Sequence, residues 1–337
     1  MKVAIIGATG FIGRRLCDTC IARGDSVSIL VRRPEAVETL SRDVTAFVGG
    51  LGDEEAVRAA CADADVVFNA AGALGKWQSH HDELEYVNTR AAGLIVRSVA
   101  KAGARRVVHL STAGVTGPLP CDVTASEEYP CRPATMYQRT KLAGEDEALQ
   151  AHHDTGIPLV IVRPAFVYGP GDTHKLSLFR AVASRRLLLV DGGRSRLHPV
   201  FVDDLINGML MTADRAPARG DVYILAGEEP ASTRVLIETI ARQLDVSPPR
   251  FSLPSGLLLS MASVAEALGH ALGKEPPLTR SRVSLFSENY AYDIGKARRE
   301  LGYAPSTSLG EGVSRTVEWY LDNHLLQTKG RSFAHAH

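Results

Sequence analysis

This sequence predicts an α/β fold: a doubly wound parallel sheet covered by helices on both faces, with a smaller, mixed lobe toward the C-terminus. Three observations carry that expectation. The first 23 residues run from a short apolar stretch through a glycine-spaced turn into a helical pattern. Five more short apolar runs then alternate with helical patterns as far as Arg163. Beyond that point prolines multiply and the alternation loosens. Strands that alternate with helices and read as unbroken apolar runs belong to parallel sheets buried on both sides.

Taking the chain in order, residues 3–6 are wholly apolar and predict the first strand. Gly7, Gly10 and Gly13 follow at three-residue spacing and lead into a helix over 11–23. Strand, glycine turn and helix in that order make an anion site: the backbone can approach a pyrophosphate closely, and the helix amides point at its charge. Gly7, Thr9, Gly10, Phe11, Ile12 and Gly13 are therefore candidate dinucleotide contacts. Residues 26–31 predict a second strand ending at Arg32-Arg33-Pro34, 44–48 a third, and 66–68 a fourth closed by Asn69-Ala70-Ala71-Gly72. Helical spacing occupies 34–40 and 54–60 between them. Residues 82–102 read as one long helix with Tyr86, Val87, Leu94, Ile95 and Val99 on a recurring face. A fifth strand at 107–110 and a sixth at 159–162 flank a helix over 137–152. Six strands alternating with helices are expected, in a parallel sheet covered on both faces. The expected organisation is a dinucleotide-binding unit over 1–165 with returning segments at about 198–226, a substrate lobe over 166–326, and a loose tail over 327–337.

Composition narrows the function. Lys and Arg total 38, as do Asp and Glu, so the formal charge is zero over 337 residues. That balance argues against a nucleic-acid binder or a general binder of anionic membranes, while leaving room for a local patch. Met1-Lys2 leads straight into the first strand with no signal-peptide pattern, so a cytoplasmic place is expected. The greasiest stretch, 253–272, contains Ser255, Ser260, Glu266 and His270, and reads as an amphipathic helix short of a membrane span. Five cysteines in such a chain predict no disulfides. Cys17-x-x-Cys20 has no neighbouring His or second pair and reads as helix packing, so no metal site is expected.

Two local patterns carry chemistry. At the end of the second strand a carboxylate would bind the adenosine ribose diol, whereas Arg welcomes a 2′-phosphate. Here Val31-Arg32-Arg33 precedes any acid, which points to NADP(H) over NAD(H), with Arg32 as the contact. Tyr137-Gln-Arg-Thr-Lys141 sets a phenol and an ammonium four residues apart on one helix face. A phenol of pKa about 10 needs a nearby cation before it can exchange protons well at neutral pH, and Lys141 is expected to supply that charge.

Together the Gly-Ala-Thr-Gly-Phe-Ile-Gly turn, the Ser111-Thr112 pair directly after the fifth strand, and Tyr137 with Lys141 resemble the extended branch of the short-chain dehydrogenase/reductase superfamily. This is the NAD-dependent epimerase/dehydratase family, and the likeness covers about 7–204, more faintly 293–305. The resemblance implies a Rossmann fold, a nicotinamide cofactor and an enzyme. It implies Thr112 as the catalytic hydroxyl beside Tyr137 and Lys141, with Ser111 next to it at the cofactor. It also implies Leu51 near the adenine (the family's preceding Asp is replaced by Gly50), Ala70, Ala71 and Gly72 along the cofactor, and Pro164 and Val167 at its carboxamide. Asn88 matches a helical asparagine that supports the site, and a homodimer through the two long helices is the usual assembly.

Three departures separate the chain from the family's nucleotide-sugar enzymes. Ala113-Gly114 stands where dehydratases carry an acidic pair, Phe166 where an asparagine usually binds the diphosphate, and His198-Pro199-Val200 where an Arg-Asp-Phe usually precedes Phe201-Val202-Asp203-Asp204. What remains resembles the 3β-hydroxysteroid dehydrogenase and dihydroflavonol reductase relatives. The expected reaction is interconversion of a secondary alcohol and a ketone on a mostly apolar or aromatic small molecule, with Tyr137 as acid/base. The alternatives are a sugar-nucleotide epimerase using Arg194 and Arg196 as phosphate partners, and a non-enzymatic cofactor-binding sensor. His198 reads as a packed loop residue, and the loop 74–81 with Trp77 and the helix 257–272 as walls of the substrate site.

Overall fold

The computed structural model describes every residue except 41–42, 76–80, 186, 275, 277 and 327–337. Strands β1 (Lys2–Ile6), β2 (Ser26–Val31), β3 (Val44–Val48), β4 (Val66–Asn69), β5 (Val107–Leu110) and β6 (Leu159–Pro164) alternate with α1 (Phe11–Ala22), α2 (Glu54–Cys61), α3 (His81–Glu85), α4 (Ala91–Lys101) and α5 (Met136–Thr155). All six strands are parallel. Their runs are mostly apolar because the sheet stands between two cores. Val3 and Ile5 face one cluster with Phe68, Val160 and Val162. Ala4 and Ile6 face the other with Val67, Leu159 and Ile161.

The sheet has seven strands, one more than the sequence predicts, in the order β11-β6-β5-β4-β1-β2-β3. Its outer member, β11 (Arg219–Leu225), is added parallel to β6 after the chain has been through the small lobe. There β7 (Phe166–Tyr168) pairs with β10 (Pro199–Phe201), β8 (Leu189–Val190) with β13 (Ser252–Leu253), and β9 (Arg196–Leu197) with β12 (Ala231–Ser232). Helices α6 (Leu176–Ala183), α8 (Thr233–Gln243) and α12 (Leu309–Asp322) enclose a third apolar core around Phe179, Ile240, Val313 and Tyr320. α7 (Val202–Arg215) and α11 (Gly295–Leu301) turn back to the sheet through Ile206, Met209, Ala297 and Leu301.

Two further expectations change. The long helix over 82–102 is interrupted: a π turn, Tyr86–Arg90, joins α3 to α4. Such turns rearrange a helix face and recur at functional sites. The greasy stretch forms α9 (Ser255–Leu272), which by length and composition alone could cross a membrane. It instead lies on the small lobe beside α10 (Arg280–Ser287), with Glu266 Oε2 paired to Arg280 Nε at 3.0 Å. Cys17 and Cys20 are buried in α1, and burial pushes their thiols up to about 11 and about 12, as packing residues require. No cluster of potential metal ligands occurs among the described residues.

Candidate active site

The strand order reverses beside β1, so the carboxyl ends of β1 and β4 open a crevice, and both glycine-turn segments meet there. Gly7 sits at φ +92°, and a Cβ on it would lie 2.6 Å from the Ala71 amide nitrogen. A Cβ on Gly13 would lie 2.1 Å from the Gly7 carbonyl oxygen. Only glycines let β1, α1 and the Ala70–Ala71 segment approach this closely. Gly10 caps α1 without a side-chain hydrogen bond, and the first turn holds no acid, which leaves the helix amides for an anion. Thr9 and Gly10 are exposed at the mouth, with Phe11 and Ile12 half-buried behind them. This cradle fits the pyrophosphate of a dinucleotide.

The remaining cofactor candidates line the same edge. Arg32 is exposed just past the end of β2, Leu51 is half-buried beyond β3, and Ala70, Ala71 and Gly72 follow β4. Asn69 holds that last segment from below: its Oδ1 accepts from the Ala71 amide at 3.3 Å, and its Nδ2 lies 3.1 Å from His109 Nδ1. Full burial keeps His109 neutral, with its pKa lowered to about 3. Pro164 and Val167 are buried where β6 passes into the small lobe.

Helix α5 presents the candidate catalytic pair, Tyr137 and Lys141. Its start is fixed by a capping box: Gln138 N donates to Thr135 Oγ1 at 3.2 Å and Thr135 N donates to Gln138 Oε1 at 3.0 Å. That places Tyr137 in the first turn and Lys141 one turn further in. Thr112, at the exit of β5, accepts from the Gly114 amide at 3.2 Å, and its side chain lowers the pKa of the neighbouring Tyr137 phenol. Asn88, in the π turn and 1% exposed, ties the site together. It exchanges hydrogen bonds with the Ala73 backbone and donates to Thr140 Oγ1 at 3.1 Å, linking the β4 exit to α5.

Three expectations are corrected here. Lys141 is buried and donates to the Leu110 carbonyl at 2.5 Å, so burial lowers its pKa to about 8 against the opposing pull of Glu145. Its charge does not overcome the burial of Tyr137, which pushes the phenol up to about 12, with Thr112 offsetting only part of that. Ser111 does not turn its hydroxyl to the crevice but donates it to buried Glu145. The sequence reading missed Glu145 altogether. It lies four residues after Lys141 and accepts from Arg163 Nε at 2.9 Å and Nη2 at 2.6 Å, with both side chains nearly sealed from solvent.

His198 is the packed residue its setting predicts. It donates from Nε2 to the Gly227 carbonyl at 3.0 Å and accepts from the Tyr292 amide at Nδ1 at 3.2 Å. Burial holds its pKa at about 4, so it stays neutral. Phe166 is half-buried with the Lys175 ammonium over its ring, Arg194 is exposed, and Arg196 donates to the Cys121 carbonyl. Most of the loop 74–81, Trp77 included, lies outside the described residues, as does the expected tail. The inner face of α9 packs against Val190 and Val283 in the small lobe.

Residues 3–226 match the NAD dependent epimerase/dehydratase family. The chain is 32% identical to a 4-hydroxy-2-methyl-3-oxo-4-farnesyl-3,4-dihydroquinoline-1-oxide ketoreductase of Stigmatella aurantiaca, over 93% of this chain and 95% of that one. It is 27% identical to a 2-alkyl-3-oxoalkanoate reductase of Stenotrophomonas maltophilia, over 94% of this chain and 98% of the relative. Among solved structures, a UDP-glucuronic acid 4-epimerase from Bacillus cereus in complex with NAD superposes with a TM-score of 0.75 at 21% identity. That superposition covers 96% of this chain and 100% of the epimerase, and it shows a common fold.

Proposed function

This chain belongs to the NAD dependent epimerase/dehydratase family, and from that premise we propose that it is an NADPH-dependent ketoreductase acting on a ketone that carries a long apolar chain. One observation carries the reading. Thr112 and Tyr137 pair at the crevice with Lys141 beneath them, and the two residues after Thr112 are Ala113 and Gly114, which offer no acid for a dehydration. A bound reduced nicotinamide supplies the hydride. Thr112 positions the substrate carbonyl oxygen and Tyr137, protonated at neutral pH because burial holds its pKa at about 12, gives that oxygen its proton. Lys141 offsets the negative charge left on the phenol. Phe166 in place of a hydrogen-bonding residue suits an apolar substrate better than a diphosphate. The two ketone-reducing relatives are named for substrates bearing a farnesyl or an alkyl group.

The decisive experiment incubates the protein with NADPH and a panel of alkyl ketones and nucleotide sugars. Nicotinamide absorbance should fall in proportion to alcohol formed. Conversion of a nucleotide sugar with no net absorbance change would replace this reading with an epimerase, which returns its hydride to the same substrate.

Arg32, exposed past β2, is our basis for NADPH over NADH. Arg32→Glu should weaken NADPH binding by about 1.5–3 kcal/mol and leave NADH nearly unchanged. Equal affinity of the unmutated protein for the two cofactors would remove the argument. We further propose a cytoplasmic homodimer built on the outer faces of α4 and α5, where Leu94 stands exposed. Light scattering should report twice the chain mass at micromolar concentration, and a monomer there would refute the assembly.

A further inference from the structure

Helix α9 turns one face to the small lobe and leaves the other bare. Leu258, Ala262 and Gly269 are buried on the inner side. Leu257, Met261, Val264, Leu268 and Leu272, spaced three and four residues apart, form a continuous outer stripe at 50%, 48%, 62%, 59% and 72% exposure. Phe251, 76% exposed, extends the stripe ahead of the helix. Single exposed leucines are ordinary, but a contiguous row of large apolar side chains marks an interaction surface. The stripe itself carries no charge, since the helix's acid, Glu266, is drawn aside to Arg280. Exposed cations stand at both ends, Arg250 before Phe251 and Lys274 after Leu272.

We propose that this face docks on a lipid bilayer, with α9 lying in the headgroup boundary and its apolar stripe in the acyl layer. Such a helix combines an apolar face with cations that reach anionic headgroups. A span is disfavoured because crossing would strip Leu258 and Ala262 from the lobe that buries them. Charge also separates a bilayer from a second copy. Two stripes packed antiparallel about a two-fold axis would set Arg250 of each chain against Lys274 of the other, like charge on like. Substrate supply is the second argument, and it rests on the ketoreductase reading: ketones with long apolar chains reside in bilayers.

The test uses the full chain, co-sedimented with vesicles of phosphatidylcholine alone and of phosphatidylcholine with phosphatidylglycerol. The unmutated protein should sediment with vesicles, more strongly when phosphatidylglycerol is present. Val264→Asp with Leu268→Asp should lower the bound fraction about tenfold or more. Arg250→Glu with Lys274→Glu should remove the gain from phosphatidylglycerol. Both variants should keep the melting temperature and NADPH affinity. No sedimentation of the unmutated protein, or binding untouched by the aspartates, would overturn the proposal. A light-scattering mass that halves in the aspartate variant would assign the stripe to a second copy, and a raised KM for a short, water-soluble ketone would assign it to the substrate channel. Either result also overturns it. If the unmutated protein fails to reduce any ketone, the ketoreductase reading falls, while vesicle binding is still read on its own.

Discussion

Tyr137→Phe is expected to slow ketone reduction by about 100-fold or more, or about 2.7 kcal/mol of barrier, while leaving the fold and NADPH affinity intact. Phenylalanine keeps the ring and loses only the hydroxyl, whose structural partner is Thr112. Reduction at the unmutated rate would mean that another group donates the proton. The companion pH profile carries its own sign. Lys141, lowered to about 8 by burial, is charged below that pH and loses its proton above it, so reduction should fall on the alkaline side. Lys141→Arg keeps its charge and should move the fall to higher pH. A profile identical in the two proteins would separate Lys141 from the proton transfer.

The second large effect is on stability. Glu145→Gln keeps the side-chain shape but leaves the Arg163 guanidinium buried without its counter-charge, and should cost about 3–5 kcal/mol. Denaturant unfolding at unchanged slope reads that loss. Replacing both partners with methionine should recover much of it, because a well-packed apolar pair avoids the desolvation of two ions. A single-variant loss under about 1 kcal/mol would mean that water reaches the pair. The Glu145 carboxylate also holds Lys141 up, so its removal should start the alkaline fall in rate at lower pH.

The first six strands were legible because each is a short, mostly apolar run: the inner five bury most of their residues on both faces, and edge strand β3 keeps the apolar pattern though it buries little. β11 was not, since it begins Arg219-Gly220-Asp221, is only half-buried over its first residues, and carries a register shift between Arg219 and Asp221. Nothing in the composition of Tyr86–Arg90 marks a π turn, because the turn is set by how Asn88 and Thr89 reach Thr140 on α5. Thr135-x-x-Gln138 did carry a readable helix-start signature. Tyr137 and Lys141 could be placed by spacing, but the protonation of each depends on burial and on which carbonyl the ammonium finds. Glu145 was hidden by habit: an acid on a long helix is usually a surface residue, and only Arg163, brought alongside by β6, makes this one internal.

The route by which β11 reaches the sheet bears on biosynthesis. A nascent chain that has emerged only as far as β6 holds six strands with the β6 edge bare, an unpaired ladder able to capture a strand from another molecule. The missing flank arrives only after β7 to β10 and α6 and α7 have been made. It then buries Tyr223, Ile224 and Leu225 and delivers the Ile224 amide to Glu127 at 2.8 Å. The ribosome must therefore release much of the small lobe before the large one can close. Chaperone demand should peak within that interval, and a truncation at the apparent lobe boundary yields an aggregation-prone fragment in place of a working half.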